Sequence, residues 1–168
     1  GIAYAGTATT MTLSIAAVND APTISNLNSD TLAYTAGDDA SIIDQGTVSS
    51  TADVDSTDFD TGTLTVSISA NRVSTEDKLA IKNTGTGSGE IGITGSNVTY
   101  GGTTIGTFTG GTGTDNLVIT FNSGATPAAA TALIKSITYE NTNTSSPTAS
   151  SRTVGFTLTD GDSGTSTT

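Results

Sequence analysis

The fold is decided by the stretch TLTVSISA, Thr63–Ala70, in which polar and apolar residues alternate without a break. A period of two places Leu64, Val66 and Ile68 on one face, as in a β-strand with one buried side. The stretch Arg152–Thr159 repeats this alternation near the other end of the chain. We therefore predict an all-β domain whose core is built from alternating strand residues.

Around these two strands, shorter alternating runs are separated by turns rich in Gly, Asn and Asp. The candidate strands are Thr23–Leu27, Leu32–Thr35, Ser41–Asp44, Lys78–Ile81, Glu90–Thr94, Asn97–Tyr100, Thr103–Thr109, Asn116–Phe121 and Ser136–Glu140. One short helix is predicted at about residues 127–135, because Thr126 can cap it and Pro127 suits its first position. Many short strands with polar turns predict a β-sandwich.

The N-terminal stretch TATTMTLSIAAVNDAP, Thr7–Pro22, is unusual for the start of a domain. Its alternation predicts a strand over about residues 7–18, followed by a short acidic linker, and the apolar residues of that strand are Met11, Leu13, Ile15 and Val18. A strand that closes on Asn-Asp-Ala-Pro normally finishes a domain, yet here a domain follows it. We predict a connecting or donor strand at 1–18, a linker at 19–22 and a sandwich domain at 23–168 that lacks its own final strand.

Composition limits the partners of the chain. The formal net charge is −11, from 16 acidic and 5 basic residues. Repulsion by phosphate groups argues against nucleic acid and against an anionic membrane surface, whereas metal cations are the natural counter-charge. No apolar run approaches the roughly 20 residues of a membrane helix, so membrane insertion is not expected.

The chain contains no Cys and no His. Disulfides, thiolate nucleophiles, Ser-His-Asp triads and His-liganded zinc are therefore excluded. Paired carboxylates alone do not make a glycosidase, since any acidic loop supplies them. We predict no catalytic residues, no organic cofactor and a protein that is not an enzyme.

Calcium is the predicted ligand of the acidic turns. Carboxylates alternate along one loop and recur in a second turn and in the linker, so that oxygen atoms can converge on a hard cation. The candidate ligands are Asn19, Asp20, Asp53, Asp55, Asp58, Asp60, Asp160 and Asp162. The alternative is that these residues are solvated turn formers with no bound ion.

Four motifs in a fixed order resemble a known family. They are VNDAPT at Val18–Thr23, DVDSTDFDTGTLTVSI at Asp53–Ile68, ATPAAATALIKSITYENT at Ala125–Thr142 and RTVGFTLTDGDSGTS at Arg152–Ser166. Together they are similar to the cadherin-like (VCBS/Ig-like) tandem repeats of large bacterial surface adhesins and extracellular filament proteins. The resemblance implies an Ig/cadherin-like Greek-key β-sandwich, calcium near the linkers between units, and an extracellular location on the bacterial cell surface.

In that repeat architecture, an acidic turn and a final strand ending in VNDAP would follow Arg152–Thr159. Here the turn and the final strand stand at opposite ends of the sequence. Three explanations fit: one unit of a covalent array, a free subunit that donates residues 7–18 to its neighbour, or a strand that folds back into its own domain. The third explanation is disfavoured. A strand of about twelve residues is roughly 40 Å long, so its linker would leave at the wrong pole of the sandwich to begin the domain's first strand without a long return connection.

We therefore predict a structural and adhesive repeat unit whose partners are copies of itself, joined head to tail, with a surface glycan or cell-surface target as a further partner. The alternative is a carbohydrate-binding or accessory β-sandwich module of a secreted protein. A cluster of exposed aromatic side chains would favour that alternative.

Overall fold

A computed structural model describes Gly1, Gly6, residues 10–16 and residues 18–166. Within these residues the chain forms eleven strands and one helix. The strands are β1 (Thr23–Ser25), β2 (Ser41–Ile42), β3 (Ser50–Ala52), β4 (Thr63–Ala70), β5 (Asp77–Ile81), β6 (Ile91–Thr94), β7 (Asn97–Tyr100), β8 (Thr103–Thr109), β9 (Leu117–Phe121), β10 (Ile137–Asn141) and β11 (Thr153–Leu158). The helix α1 spans Pro127–Ile134, between β9 and β10.

The strands form three antiparallel sheets. The largest has the order β11-β4-β9-β8-β7-β6, so β11 lies at one edge. A second sheet has the order β2-β10-β5, and β1 pairs with β3 in a third. The architecture is all-β with one short helix and is consistent with a β-sandwich. The Greek-key connectivity stays a prediction.

The alternation of β4 determines which of its side chains enter the core. Leu64 and Val66 are fully buried, and Ile68 is nearly so, while the residues between them lie on the opposite face. The larger sheets and α1 contribute to one cluster of buried apolar residues. Phe59, from the acidic loop before β4, packs into the same cluster, with its ring centroid 6.2 Å from that of Phe121.

The helix begins where the sequence predicts and ends at Ile134, one residue before the predicted end. Thr126 has an extended backbone and its Oγ1 accepts a hydrogen bond from the N–H of Ala129 at 3.3 Å, while Pro127 occupies the first turn. The helix buries Leu133 and Ile134 against the core.

Two predicted strands differ from the structure. Leu32–Thr35 forms no strand, because no neighbouring backbone pairs with it in the described part of the chain. Of the predicted strand 7–18, residues 7–9 and 17 lie outside the described residues, and residues 10–16 and 18 form no ladder with the rest of the described chain. Their donation to a neighbouring unit stays a prediction.

Among the described residues, no helix has both the length and the apolar character needed to cross a membrane.

The buried face of β4 can be tested with two identical substitutions. Val66 is 0% exposed and Val54 is 88% exposed. We expect Val66→Ala to lower the free energy of unfolding by about 2–3 kcal/mol, through lost transfer free energy and an unfilled cavity. Val54→Ala should change it by less than about 0.5 kcal/mol. Urea unfolding of both variants measures the difference, and equal effects would contradict the assigned face of β4.

Candidate functional site

The apolar side chains of the N-terminal segment are exposed to solvent. The exposed fractions are 88% for Met11, 76% for Leu13, 84% for Ile15 and 86% for Val18. Solvent-exposed apolar residues are common when isolated, but in a strand Met11, Leu13 and Ile15 would share one face, with Val18 on the other. Residues 10–18 are therefore a candidate interaction segment.

The edge strand β11 has a free side in the described part of the chain. It pairs with β4 through one side only. In an antiparallel ladder, alternate residues direct their backbone N–H and C=O groups toward one neighbour, and the residues between them direct theirs the other way. The N–H of Thr159 bonds to Thr63 of the β4 side, whereas Leu158 bonds outward to Ser166. By this alternation, the backbone groups of Val154 and Phe156 also point outward.

Only the C-terminal end of this outer edge is covered by described residues. After the turn that follows β11, Thr165 forms a bridge with Thr159 and the N–H of Ser166 bonds to the carbonyl of Leu158 at 2.8 Å. No partner for the outward backbone groups of Val154 or Phe156 occurs among residues 10–16 and 18–166. An unpaired edge of this kind is a template for another strand.

An apolar groove of about 960 Å³ lies beside this free edge. One wall consists of Val154 and Phe156, and the other is the segment 30–36 that was predicted to contain a strand. The large apolar side chains in the groove lining are Leu27, Leu32, Tyr34, Ile43, Tyr139, Val154 and Phe156, and polar residues of the segments 30–35 and 148–152 also line it. An added strand with alternating side chains would bond to the outward backbone groups of β11 and would pack its apolar side chains into the groove.

Tyr34 fixes the second wall of the groove. Its ring meets that of Tyr139 edge to face at a centroid distance of 5.0 Å. Its hydroxyl donates to the carbonyl of Asp38 at 2.7 Å and accepts from the N–H of Asn141 at 3.2 Å. The wall is thereby held to β10 without strand pairing.

A buried ionic network closes one end of the groove. The Nε of Arg152 lies 3.1 Å from each carboxylate oxygen of Asp77, and its Nη2 lies 3.6 Å from Oε2 of Glu76. The exposed fractions of these side chains are 8% for Arg152, 7% for Glu76 and 0% for Asp77. Tyr139 donates to Asp77 at 2.7 Å, and burial together with this bond and the Asp77 charge raises the pKa of Tyr139 to about 12.

Glu76 also holds the loop between β10 and β11. It accepts bonds from the N–H of Thr148 at 3.0 Å, from the Thr148 hydroxyl at 3.1 Å, and from the side-chain amides of Asn143 and Asn141 at 3.1 and 3.3 Å. The backbone bond from Thr148 outweighs the opposing effect of burial and, with the side-chain bonds, lowers the pKa of Glu76 to about 2. The end of the groove at Thr148 therefore depends on an ionised Glu76.

The linker lies at the other end of β11, against an acidic turn. The side-chain amide of Asn19 donates to Oδ2 of Asp160 at 2.8 Å. Burial by itself would raise the pKa of Asp160, but the bond from Asn19 and the backbone N–H groups of Asp162 and Gly164 lower it. A side chain at Gly164 would collide with Asp160 and would lie 2.9 Å from the Asn19 amide, so glycine leaves room for the linker.

The linker also contacts the acidic loop before β4. The N–H of Asp20 donates to Oδ2 of Asp55 at 3.2 Å, and this bond by itself would lower the pKa of Asp55. Desolvation and the neighbouring carboxylates of Asp53 and Asp20 outweigh this bond, so the pKa of Asp55 is raised. Oδ1 of Asp53 accepts from the N–H groups of Asp55 and Ser56, while its Oδ2 is buried with no hydrogen-bond partner.

The eight predicted ligands separate into two sets. Asn19, Asp20, Asp53, Asp55 and Asp160 are connected through the linker, as the contacts above describe. The others make local turn contacts: Asp58 accepts from the N–H of Asp60, Asp60 from Thr61, and the N–H of Asp162 donates to Asp160. In residues 10–16 and 18–166, no three acidic groups are arranged to hold a metal ion.

The groove and its ionic network were missed by the sequence analysis. The apolar alternation of Leu32 and Tyr34 was a detectable signal, but it predicted a paired strand and not the wall of an open groove. Arg152 was visible only as the start of a strand, because its partners Glu76 and Asp77 lie about half the chain away.

Comparisons with protein-family models, with curated proteins and with solved structures find no match to this chain. The similarity to cadherin-like repeats therefore rests on the sequence motifs and stays a prediction.

The role of Glu76 predicts how stability depends on pH. Because the pKa of Glu76 is about 2 in the folded chain and 4.5 in a model compound, its contribution is complete above pH 4.5 and is lost as the pH falls toward 2. Glu76→Gln should lower stability near neutral pH and should flatten the decline in the acid range. Urea unfolding across this range measures both effects.

Glu140→Gln is the matched control, because Glu140 forms a partly exposed ion pair with Lys78. We expect it to change stability little near neutral pH. An unchanged acid dependence in Glu76→Gln would contradict the assigned role of Glu76.

Proposed function

We propose that this chain is a structural and adhesive unit of an extracellular filament or large bacterial surface adhesin, and that units join head to tail by strand sharing. Residues 7–18 of one unit would complete the sheet of the next. The shared strand makes a heterologous contact that does not close on itself, and such contacts produce an open filament. The proposed role is mechanical, with no catalytic step.

One observation supports the proposal: the chain has a segment with exposed apolar residues and also a sheet edge that, within residues 10–16 and 18–166, is unpaired on one side beside an apolar groove. The segment and the groove both carry apolar side chains, and the alternation of the segment predicts the extended backbone that strand addition needs. Strand addition uses backbone hydrogen bonds for affinity and side-chain pockets for specificity.

The energies indicate how units would be joined. Burial of Met11, Leu13 and Ile15 would contribute roughly 1.5–3 kcal/mol each. Association of two free units costs about 4–15 kcal/mol in lost translational and rotational freedom. Apolar burial alone is therefore marginal, and the backbone ladder and the linker contacts must add to it. A covalent tandem array would lower the same cost by raising the effective concentration of the strand.

We also propose that calcium stiffens the linker. The donor set suits a hard cation, since it consists of carboxylates and the carbonyls of turns, and since Oδ2 of Asp53 is buried without a partner. Asp20, Asp53, Asp55 and Asp160 would supply protein oxygens, with Asn19 beside them. The remaining oxygens would come from the neighbouring unit, because the linker lies where two units meet.

The resemblance to cadherin-like repeats adds the Greek-key topology and the surface location to this proposal. Under the alternative of a carbohydrate-binding module, an aromatic platform should be exposed. In the described part of the chain, the exposed large apolar residues are Met11, Leu13, Ile15, Val18, Val48 and Val54, none of them aromatic. This observation favours the structural role.

Adjacent substitutions on opposite faces of the segment test strand sharing. We expect Leu13→Asp to abolish filaments, because it would place a charge in the apolar groove. Thr12→Asp introduces the same charge on the other face and should leave assembly intact. Electron microscopy and sedimentation measure assembly, and normal filaments from Leu13→Asp would contradict strand sharing.

Leu13 is 76% exposed, so neither variant should lower the thermal stability of the unassembled unit by more than a few degrees. This measurement separates a failure of assembly from a failure of folding.

Calcium removal tests the linker site. Chelation should lower the melting temperature of the assembled protein, because a ligand bound only to the folded state at 100 times its Kd stabilises by about 2.7 kcal/mol. Asp53→Asn should reduce this response at least several-fold. Asp39→Asn, the same change at an exposed position in a different turn, should keep it. A melting temperature insensitive to chelator would contradict the calcium site.

A further inference from the structure

The direction of β11 relative to the linker limits how a strand can enter the groove. The strand β11 runs from Thr153 toward Asp160. The linker of the same chain is attached at the Asp160 end, through the 2.8 Å bond from Asn19. The opposite end is the groove end closed by Arg152 and its buried partners.

This placement distinguishes the chain's own segment from that of a second copy. If the chain's own residues 10–18 returned along β11, Val18 would stay near Asp160 and Thr10 would lie near Thr153. That strand would run parallel to β11. Its Val18 end would meet the part of the edge where Thr165 and Ser166 already pair with Thr159 and Leu158.

A second copy must enter from the other end. In a head-to-tail filament, its domain lies beyond the Thr153 end of β11, so its Val18 emerges there and its Thr10 points toward Leu158. The entering strand then runs antiparallel to β11. It continues the direction of the short pairing that Thr165 and Ser166 begin.

The pairing of the edge within the described chain limits the register. No described residue pairs with the outward backbone groups of Val154 and Phe156, whereas Leu158 is bonded to Ser166. With apolar side chains facing the groove, Met11 falls opposite Phe156 and Leu13 opposite Val154. Ile15 then reaches the Arg152 end of the groove, and Thr10 stops beside Thr157.

We propose that the groove is the acceptor for residues 10–18 of a second copy, which enters antiparallel to β11 with Met11 opposite Phe156 and Leu13 opposite Val154. This inference rests on the proposed strand sharing and specifies its site, direction and register. On the solvent face of the new ladder, Ser14 lies opposite Thr153 and Thr10 opposite Thr157.

Paired cysteines test the direction. The chain has no natural Cys, so the two introduced thiols are the only ones in each double variant, and the matching single variants control for disulfides between identical positions. All four positions are exposed: Thr10, Ser14, Thr153 and Thr157. Antiparallel entry predicts cross-links for Ser14→Cys with Thr153→Cys and for Thr10→Cys with Thr157→Cys. Parallel entry predicts the two exchanged pairs, Thr10→Cys with Thr153→Cys and Ser14→Cys with Thr157→Cys.

The two sets cannot both form, because four residues along a strand span about 13 Å and a disulfide needs Cα atoms within about 7 Å. We expect a ladder of disulfide-linked oligomers on a non-reducing gel for the antiparallel pairs, at least tenfold more intense than for the parallel pairs. A ladder from the parallel pairs would overturn the direction while leaving strand sharing intact. A monomer with an internal disulfide would overturn the second copy as the occupant.

Unmodified protein, imaged in parallel, separates the two levels of the proposal. If it forms filaments but none of the four pairs cross-links, the acceptor groove is wrong and the proposed function survives. A covalent fusion of two units that carries the cysteine pairs supplies the second measurement. If the unmodified protein forms no filaments and none of the four pairs cross-links the two fused units, strand sharing itself is wrong.

Discussion

The one-sided pairing of β11 is the constraint on which the proposed assembly depends. A strand inside a sheet satisfies its backbone groups on both sides, whereas β11 satisfies those facing β4 and leaves Val154 and Phe156 directed away from it within the described chain. The segment 30–36 on the other side of the groove is bonded to β10 through Tyr34 and forms no ladder with β11 in the described chain. The domain thus combines free hydrogen-bonding groups and apolar surface at one place.

The two ends of β11 have different chemistry. At one end, Arg152 is buried with two carboxylates, and the pKa of Glu76 lowered to about 2 keeps the loop at Thr148 bonded over a wide pH range. At the other end, the linker meets the acidic turn at Asp160, where carboxylates lie together without a basic partner among the contacts described. The first end pairs one guanidinium with two carboxylates. The second has no such basic partner among the contacts of the described chain, and a cation would relieve its negative charge.

A filament of such units would place these ends against one another at every junction. Mechanical load along the axis would then act on a β-ladder in shear and on the linker in series with it. Apolar burial would barely exceed the free-energy cost of association. The stability of the junction would therefore depend on interactions that hold the linker in place. A covalent connection and a bound cation are two ways to supply that support, and both act at the same place in the fold.

Local features of this protein followed from the sequence by itself. The unbroken alternation of Thr63–Ala70 determined the buried face of β4, and Thr126 with Pro127 determined the start of the helix, because both depend on residues close in the chain. Alternation also marked Met11, Leu13 and Ile15 as one apolar face. Only the tertiary structure decided that Leu32–Thr35 pairs with no other strand of the described chain and that Arg152 is buried with Glu76 and Asp77. A period of two tells which face of a strand is buried but not which backbone lies beside it, since strand pairing joins residues far apart in the sequence.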